Sequence, residues 1–504
     1  MELKLKFKCM CGIMPLILSL LTSVALSQPV KTYSKETEEK IRSVENNLIS
    51  WVKLDSSANW NIYERMKALH VNGVSIAVIK NYKIDWVKSY GLADTIERRP
   101  VTAQTLFQSA SIGKSVNGFA FMKLAQDGVV DLTVDINQYL KSWKFPYDTV
   151  SQNWKIDLAS ILSHTAGLSV MGFDGYKWNQ PLPSLIEILD GKSPSNNPPV
   201  RSQREPGLKF EYSGGGYEIS EQLLEDITNT AYGNYITKTV FEPLNMNNTF
   251  YETIPPDSLT HRLATAYRMD GQPIGCKYHL YPEKACGAGL WSTANDLARF
   301  VIEVQLSLAG KSNKIIRKEM AELMLTPYIK TSNCGFGFFI DKKGKEYYFQ
   351  HGGLNEGFSS QYYGSFKDGN GVVVLVNSDN TQFKDEVVNS VATVYGWKNF
   401  YAYVPKKLYY PAKAITNKYV GNYKFENSDT GPEIIMENGS LYLKDPNSTD
   451  KWKIYFTSDN EFFMLEAQWV NQRFFTDNKG NVTGFYILGN NYKMKVNKTI
   501  EAGV

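Results

Sequence analysis

The chain has 504 residues, 43% of them hydrophobic and 21% charged, and a formal charge of +4. These values exclude a disordered chain, a collagen-like chain and a polytopic membrane protein, and they provide no basic face for nucleic acid. The length predicts two or three modules with a large core, and the 31 Tyr and 25 Phe suit a fold rich in β-sheet.

Lys4, Lys6 and Lys8 precede an apolar run from Cys9 to about Leu26, which ends in Ala25-Leu26-Ser27 before Gln28-Pro29. A basic start, an apolar stretch and small residues before a break form a secretory signal peptide, so residues 1–27 are expected to be removed. The run is short and contains Gly12 and Pro15, which argues against a retained membrane anchor. Cys9 and Cys11 lie at the wrong end of it for lipidation. The mature chain is thus expected to be periplasmic or secreted, with no membrane span. It keeps 52 basic and 50 acidic residues, so half of the small positive charge belongs to the export signal. Cys276, Cys286 and Cys334 remain, without metal-ligand spacing. Cys276 and Cys286 are the closer pair; a disulfide and free buried thiols are both open.

Residues 36–70 carry Ile41, Val44, Leu48, Ile49 and Val52 at helical spacing and predict an amphipathic helix. Val74–Ile79 and Ile84–Val87 read as a β-hairpin. Residues 111–127 read as a helix, with Val116, Phe119, Ala120 and Leu124 on one face and Gly128 as its stop. Segments 155–330 mix helices with long loops, among them the Pro-, Ser- and Asn-dense stretch 190–207. Strand patterns return at Phe336–Ile340, Tyr347–Gln350, Phe358–Tyr363 and Val372–Val376, followed by a helix at about 382–395.

Strands at both ends with helices between them predict an α/β chain of the α+β type. Its central sheet is mainly antiparallel, flanked by helices and joined by a helical region. A boundary falls at 401–414, around Pro405 and Pro411. Beyond it, over 415–504, short β runs recur with turn signals, including Asn438-Gly439. They predict a small β-barrel domain after a first domain at 28–400.

Several motifs fail. Gly-Lys-Ser occurs at 113–115, 191–193 and 310–312, but Gln108, Ile186 and Gln305 stand where a phosphate loop needs glycine. There is no G-x-S-x-G elbow and no H-E-x-x-H helix.

Ser111-Ile112-Gly113-Lys114 is a Ser-x-x-Lys motif at the start of an apolar helix. A serine hydroxyl needs a base, and positions three apart share a helix face, so Lys114 reaches back over Ser111. A buried lysine beside other donors can lose its proton, and a helix start supplies free amides for an oxyanion. The motif also occurs at Ser50–Lys53, in the predicted N-terminal helix, and at Ser448–Lys451, in a polar turn. Only Ser111 follows a strand-like lead-in, Thr105–Phe107, and opens an apolar helix. Tyr212-Ser213-Gly214 lies in a loop ahead of a helix ending near Thr228. A tyrosine near a lysine is a base or proton shuttle; the structural alternative is an aromatic plug in a Gly-rich turn. His351-Gly352-Gly353 follows a strand, where glycines admit a substrate backbone. A lone histidine there also has a plain structural reading.

Taken in order, Ser111-x-x-Lys114, Tyr212-Ser213-Gly214 and His351-x-Gly353 resemble the three motifs of class C β-lactamase-type serine hydrolases, a group of penicillin-recognising DD-peptidases, D-aminopeptidases and esterases. Leu162–Leu168, Phe241–Leu244 and Gly287–Thr293 with Asp296–Arg299 resemble lesser landmarks of the same group. The resemblance spans about 74–395, and residues 415–504 resemble the β-rich domain often appended to such enzymes. It implies a β-lactamase/transpeptidase-like fold with Ser111 as the acylated nucleophile. Lys114 and Tyr212 share the proton transfers, and the backbone amides of Ser111 and Leu354 form the oxyanion hole. His351, Gly353 and Gly214 would contact a small-molecule, peptide or cell-wall-derived substrate. No metal or cofactor is implied.

Two departures stand out. Gly214 replaces the family's usual Asn, and Tyr232-Gly233-Asn234, which restores the pattern, falls after the helix rather than before it. His351 replaces the Lys of Lys-Thr/Ser-Gly, so a permanent cation for a substrate carboxylate is missing. Both favour an esterase or a peptidase for D-residues or short peptides over an efficient β-lactamase. The alternative is a sensor of the same fold that binds penicillin or peptidoglycan without turnover. His164, next to Ser163, is expected to be structural, because sequence neighbours rarely face each other. For the C-terminal barrel, a docked stabilising domain is the plainer expectation, beside an apolar-ligand site or a cap on the cleft.

Overall fold

The structure is a computed structural model that describes residues 32–54, 59–402, 404–426, 430–444, 451–465, 471–489 and 493–499. The expected signal segment and the Ser448 motif copy lie outside the described residues.

A seven-stranded sheet is the frame of the first 400 residues. The hairpin Gly73–Lys80 and Lys83–Asp94 forms as its sequence predicts. Gly73–Lys80 then pairs antiparallel with Gly371–Val376, with Ile76 opposite Val374. Phe358–Ser365, Glu346–Asn355 and Phe339–Lys343 complete that side. The sheet is fed from both ends of the chain.

Alternation along the central strands explains why both faces are buried. Val74, Ile76 and Val78 point to one face and pack, with Val372 and Val374, under the helices Lys35–Glu45 and Thr381–Val394. Ala77, Ile79, Val373 and Leu375 point to the other, toward the larger core and the helices Gly113–Gln126 and Ala294–Leu308. The helix Gly113–Gln126 is buried on nearly every side.

The long N-terminal helix expected over 36–70 does not form. Lys35–Glu45 is a helix capped at Asn46, Val52–Leu54 is a strand, and a second helix runs Ile62–Ala68. The apolar spacing misled because Leu48 and Val52 are buried beyond the helix end. Ser50 therefore lies on no helix face; its hydroxyl donates to Glu386 at 2.8 Å. Residues Val404–Lys406, within the expected linker, pair parallel with Val52–Leu54.

The C-terminal strands form a nine-stranded sheet whose two edge strands are Lys451–Lys453 and Tyr455–Phe456. Ile454 alone joins them, and its N–H donates to the Leu441 carbonyl at 2.9 Å. One bent strand thus serves both edges, and the sheet nearly closes into a barrel. Asn438 and Gly439, both at positive φ, make the tight turn between Glu433–Glu437 and Ser440–Lys444.

Among the described residues, no helix is long and apolar enough to cross a membrane. Cys276, Cys286 and Cys334 are all free.

Candidate active site

Ser111 sits in a 3₁₀ turn, Ala110–Ile112, that runs directly into the helix Gly113–Gln126. The three-residue spacing brings Lys114 Nζ to 3.1 Å from Ser111 Oγ. Ser111 is half-buried, whereas Lys114 is only 2% exposed. The lysine also donates to the Cys286 carbonyl at 2.6 Å.

That carbonyl arrives from 172 residues away because two glycines let the chains touch. A Cβ on Gly113 would lie 2.5 Å from Gly287 Cα, and one on Gly287, at φ +91°, would lie 2.3 Å from the Ala110 carbonyl. No other residue type fits either position. The Cys286 N–H donates to Glu218 Oε1 at 2.8 Å, and Glu221 accepts from the N–H groups of Lys284 and Ala285 at 3.0 Å each. Burial, reinforced by Glu221, pushes the Glu218 carboxyl well above the usual range.

Tyr212 lies just before the helix Gly214–Thr228, whose N-cap is Ser213. Lys114 Nζ stands 4.9 Å from the centre of the Tyr212 ring. Burial alone would push the Lys114 ammonium down, but Tyr212, Cys286 and Glu218 around it more than offset that and hold it above the ordinary lysine range. These neighbours thus favour the charged form of the lysine, while burial, the largest single effect, opposes it.

His164, expected to be structural, packs behind Tyr212. Its ring stacks on Tyr212 with centroids 4.1 Å apart, and its Nδ1 accepts the Ser213 N–H at 3.1 Å. Its backbone carbonyl accepts the Glu211 N–H at 2.7 Å. Burial, helped by Lys114 and His351, holds its pKa well below the usual histidine value, so it is neutral.

His351 is buried on the strand Glu346–Asn355, its ring against Phe339 at 5.2 Å and 6.4 Å from the Tyr212 ring. Burial and then Lys114 lower its pKa to about 3. It carries no charge at neutral pH and does not replace the missing lysine. Gly353 passes so close to the turn before Ser111 that a Cβ there would lie 2.3 Å from the Ser109 carbonyl. The glycine thus serves the chain's own close packing. It brings the next residue, Leu354, whose side chain is 58% exposed, beside the nucleophile turn.

Gly214 opens the Tyr212 helix, and its N–H donates to the Met171 carbonyl at 3.0 Å. A Cβ there would meet that carbonyl at 3.0 Å and the Phe173 ring at 3.3 Å. Phe173 occupies the space an asparagine side chain would need. The structure thus brings Ser111, Lys114, Tyr212 and His351 together, with Gly214, Gly353 and Leu354 at the margin. Tyr232, by contrast, is a core residue that donates to Asn117 at 3.1 Å, and Asn234 of the second Tyr-x-Asn is exposed to solvent.

Sequence reasoning missed Glu218 and Phe173, and named Cys286 and Gly287 without placing them beside Ser111. A signal did exist for Glu218: with Glu221 and Glu225 it repeats at helical spacing along one helix. Among the described residues, no cluster of His, Cys, Asp or Glu could hold a metal ion.

Fold and geometry together place the chain in the β-lactamase-like fold class. A family model named beta-lactamase matches residues 60–393, and the chain belongs to that family. It is 26% identical over 361 residues to Protein flp of Staphylococcus aureus (strain N315), covering 69% of this chain and 66% of that one. The chain thus matches just under two thirds of the staphylococcal protein. It is 22% identical over 429 residues to Penicillin-binding protein 4* of Bacillus subtilis (strain 168), covering 80% and 90%. Among solved structures, it resembles the octameric penicillin-binding protein homologue from Pyrococcus abyssi with a TM-score of 0.58, at 19% identity, over 86% and 98% of the two chains. It resembles D-amino acid amidase from Ochrobactrum anthropi SV3 with a TM-score of 0.55, at 21% identity, over 72% and 98%.

Proposed function

We propose that the chain is an exported serine hydrolase that cleaves an ester or amide bond through an acyl-enzyme on Ser111. The observation that carries this reading is the 3.1 Å contact of Lys114 Nζ with Ser111 Oγ, with the Tyr212 ring beside the lysine. In this reading residues 1–27 are the signal, 28–400 the hydrolase domain, 401–414 the linker and 415–504 the barrel domain.

The reacting form of the Lys114–Tyr212 pair has given up one proton to solvent; Ser111 Oγ attacks the substrate carbonyl carbon while its own proton fills that place on the pair. The Lys114 cation favours the charge developing on Oγ, and the amides of Ser111 and Leu354 receive the oxyanion. Collapse of the adduct breaks the bond to the leaving group, which takes the proton from the pair. Water then attacks the acyl carbon with the same proton transfers and frees Ser111.

A neutral His351 and the absence of a side-chain amide at position 214 favour esters or short D-residue peptides over β-lactams. The amidase with the same fold is in keeping with that range. A second reading, a binding protein that acylates without turnover, is favoured by Gly214, because the side chain the family uses to brace this region is absent.

A fluorophosphonate probe should add covalent mass at Ser111, and Ser111→Ala should lose both labelling and p-nitrophenyl ester turnover. Full activity in Ser111→Ala would remove the assignment. A single stoichiometric burst without steady turnover would support the second reading instead.

A further inference from the structure

The interior of the C-terminal barrel differs between its two ends. One end is filled by rings: Tyr419 stacks on Phe474 at 3.7 Å, and Phe474 on Phe462 at 4.6 Å. Toward the other end the same interior is open. A cavity of about 340 Å³ lies there, with Leu443, Trp452, Met464, Phe485 and Ile487 among its walls. That volume falls in the range of small-molecule sites.

The strand Asn471–Thr476 explains the cavity's one buried amide. Gln472 and Phe474 are both buried while Arg473 between them is exposed, so the two share the inward face. Phe474 belongs to the ring stack. Gln472 stands where the same alternation calls for another apolar residue. It is 1% exposed, and its Oε1 is buried with no hydrogen-bond partner among the described residues. An unpaired buried carbonyl is costly, and Gln472 is part of the cavity wall, which among the described residues carries no charged side chain. The walls give apolar contact, and the amide oxygen asks for one donor.

We propose that the barrel cavity binds an uncharged apolar molecule whose single hydroxyl or N–H group donates to Gln472 Oε1. The molecule could be a lipid-derived alcohol or an aromatic amine, since both present the same chemistry. A carboxylate is disfavoured, because the described walls of the cavity offer no cation and the oxygen of Gln472 repels an anion. This site is independent of the Ser111 cleft.

The test uses the full mature chain and N-phenyl-1-naphthylamine, an apolar N–H donor whose emission rises on leaving water. Emission should saturate at one site per chain, before and after fluorophosphonate labelling of Ser111. 1-Decanol should displace the probe, whereas decanoate at pH 8 should compete at least tenfold less well. Leu443→Trp, which fills the cavity, should weaken binding more than tenfold while leaving Ser111 labelling intact. Gln472→Leu, which keeps the volume but removes the acceptor, should weaken it about fivefold, the value of one neutral hydrogen bond. It stands as the second variant should Leu443→Trp disturb the barrel. Absence of saturable emission, loss of binding on fluorophosphonate labelling, or unchanged binding in a folded Leu443→Trp or in Gln472→Leu would overturn the proposal.

Discussion

Lys114 binds the Cys286 carbonyl at 2.6 Å, more tightly than it binds Ser111 Oγ at 3.1 Å. The principal tether of the lysine is therefore a fixed backbone group, and the serine contact follows from it. Lys114→Met would keep the length of the side chain but leave the Cys286 carbonyl unpaired and the serine without its cation. We expect kcat/KM for a p-nitrophenyl ester to fall at least ~1,000-fold, the upper part of the range for lost acid–base catalysis. Lys114→Arg should not rescue it, because a planar guanidinium does not fit a site shaped for a compact ammonium. Fluorophosphonate labelling rates would check both.

His164 holds Tyr212 from behind by stacking and by accepting the Ser213 N–H. His164→Phe should keep the stack and lose the hydrogen bond, costing about tenfold in kcat with KM nearly unchanged. His164→Ala loses both and should cost more. A triad in which His164 is the base would instead make the two variants equally inactive.

The pKa of His351 gives a pH dependence with a definite sign. Its folded value of about 3 lies below the unfolded value near 6.5. Between these values the unfolded chain binds a proton that the native site refuses, so stability is present above pH 6.5 and is lost as pH falls toward 3. The term amounts to about 3 kcal/mol near pH 4.5. Urea unfolding at pH 7 and pH 4.5 should show His351→Gln losing less stability on acidification than the parent chain. Equal slopes for the two proteins would contradict the assignment.

Gly214→Asn would restore the family's usual residue in a space that Phe173 fills. We expect a loss of about 1–3 kcal/mol, typical of overpacking, and relief of most of it in the double variant with Phe173→Ala. Thermal melts of the four proteins form the cycle that checks it. If the double variant gains amide over ester turnover, the asparagine position governs substrate choice here.

Much of this was legible in the sequence, and the rest was hidden for physical reasons. The hairpin at 73–94 and the C-terminal turn at Asn438-Gly439 follow from local alternation and turn chemistry. Ser111 and Lys114 could be paired because three residues on a helical turn fix their distance. Cys286 could not, because its part is played by a carbonyl that every residue has, delivered by tertiary packing. Phe173 has no motif; only the missing volume at Gly214 reveals it. The false long helix at 36–70 shows the converse limit. Burial beyond Asn46 continued the apolar spacing after the helix had ended.

The pairing of Ile76 with Val374 has a kinetic side. The middle of the main sheet joins a strand made early in synthesis to one made nearly 300 residues later. A ribosome must finish most of the chain before the sheet has its centre, and such distant pairing slows collapse to a unique state. The early hairpin and the Ser111 helix emerge with apolar faces uncovered, so the nascent chain is exposed to aggregation for much of its translation. A chain cut before Gly371 would lack the strand that joins the two halves of the sheet. It should be recovered as insoluble material rather than as a smaller working protein.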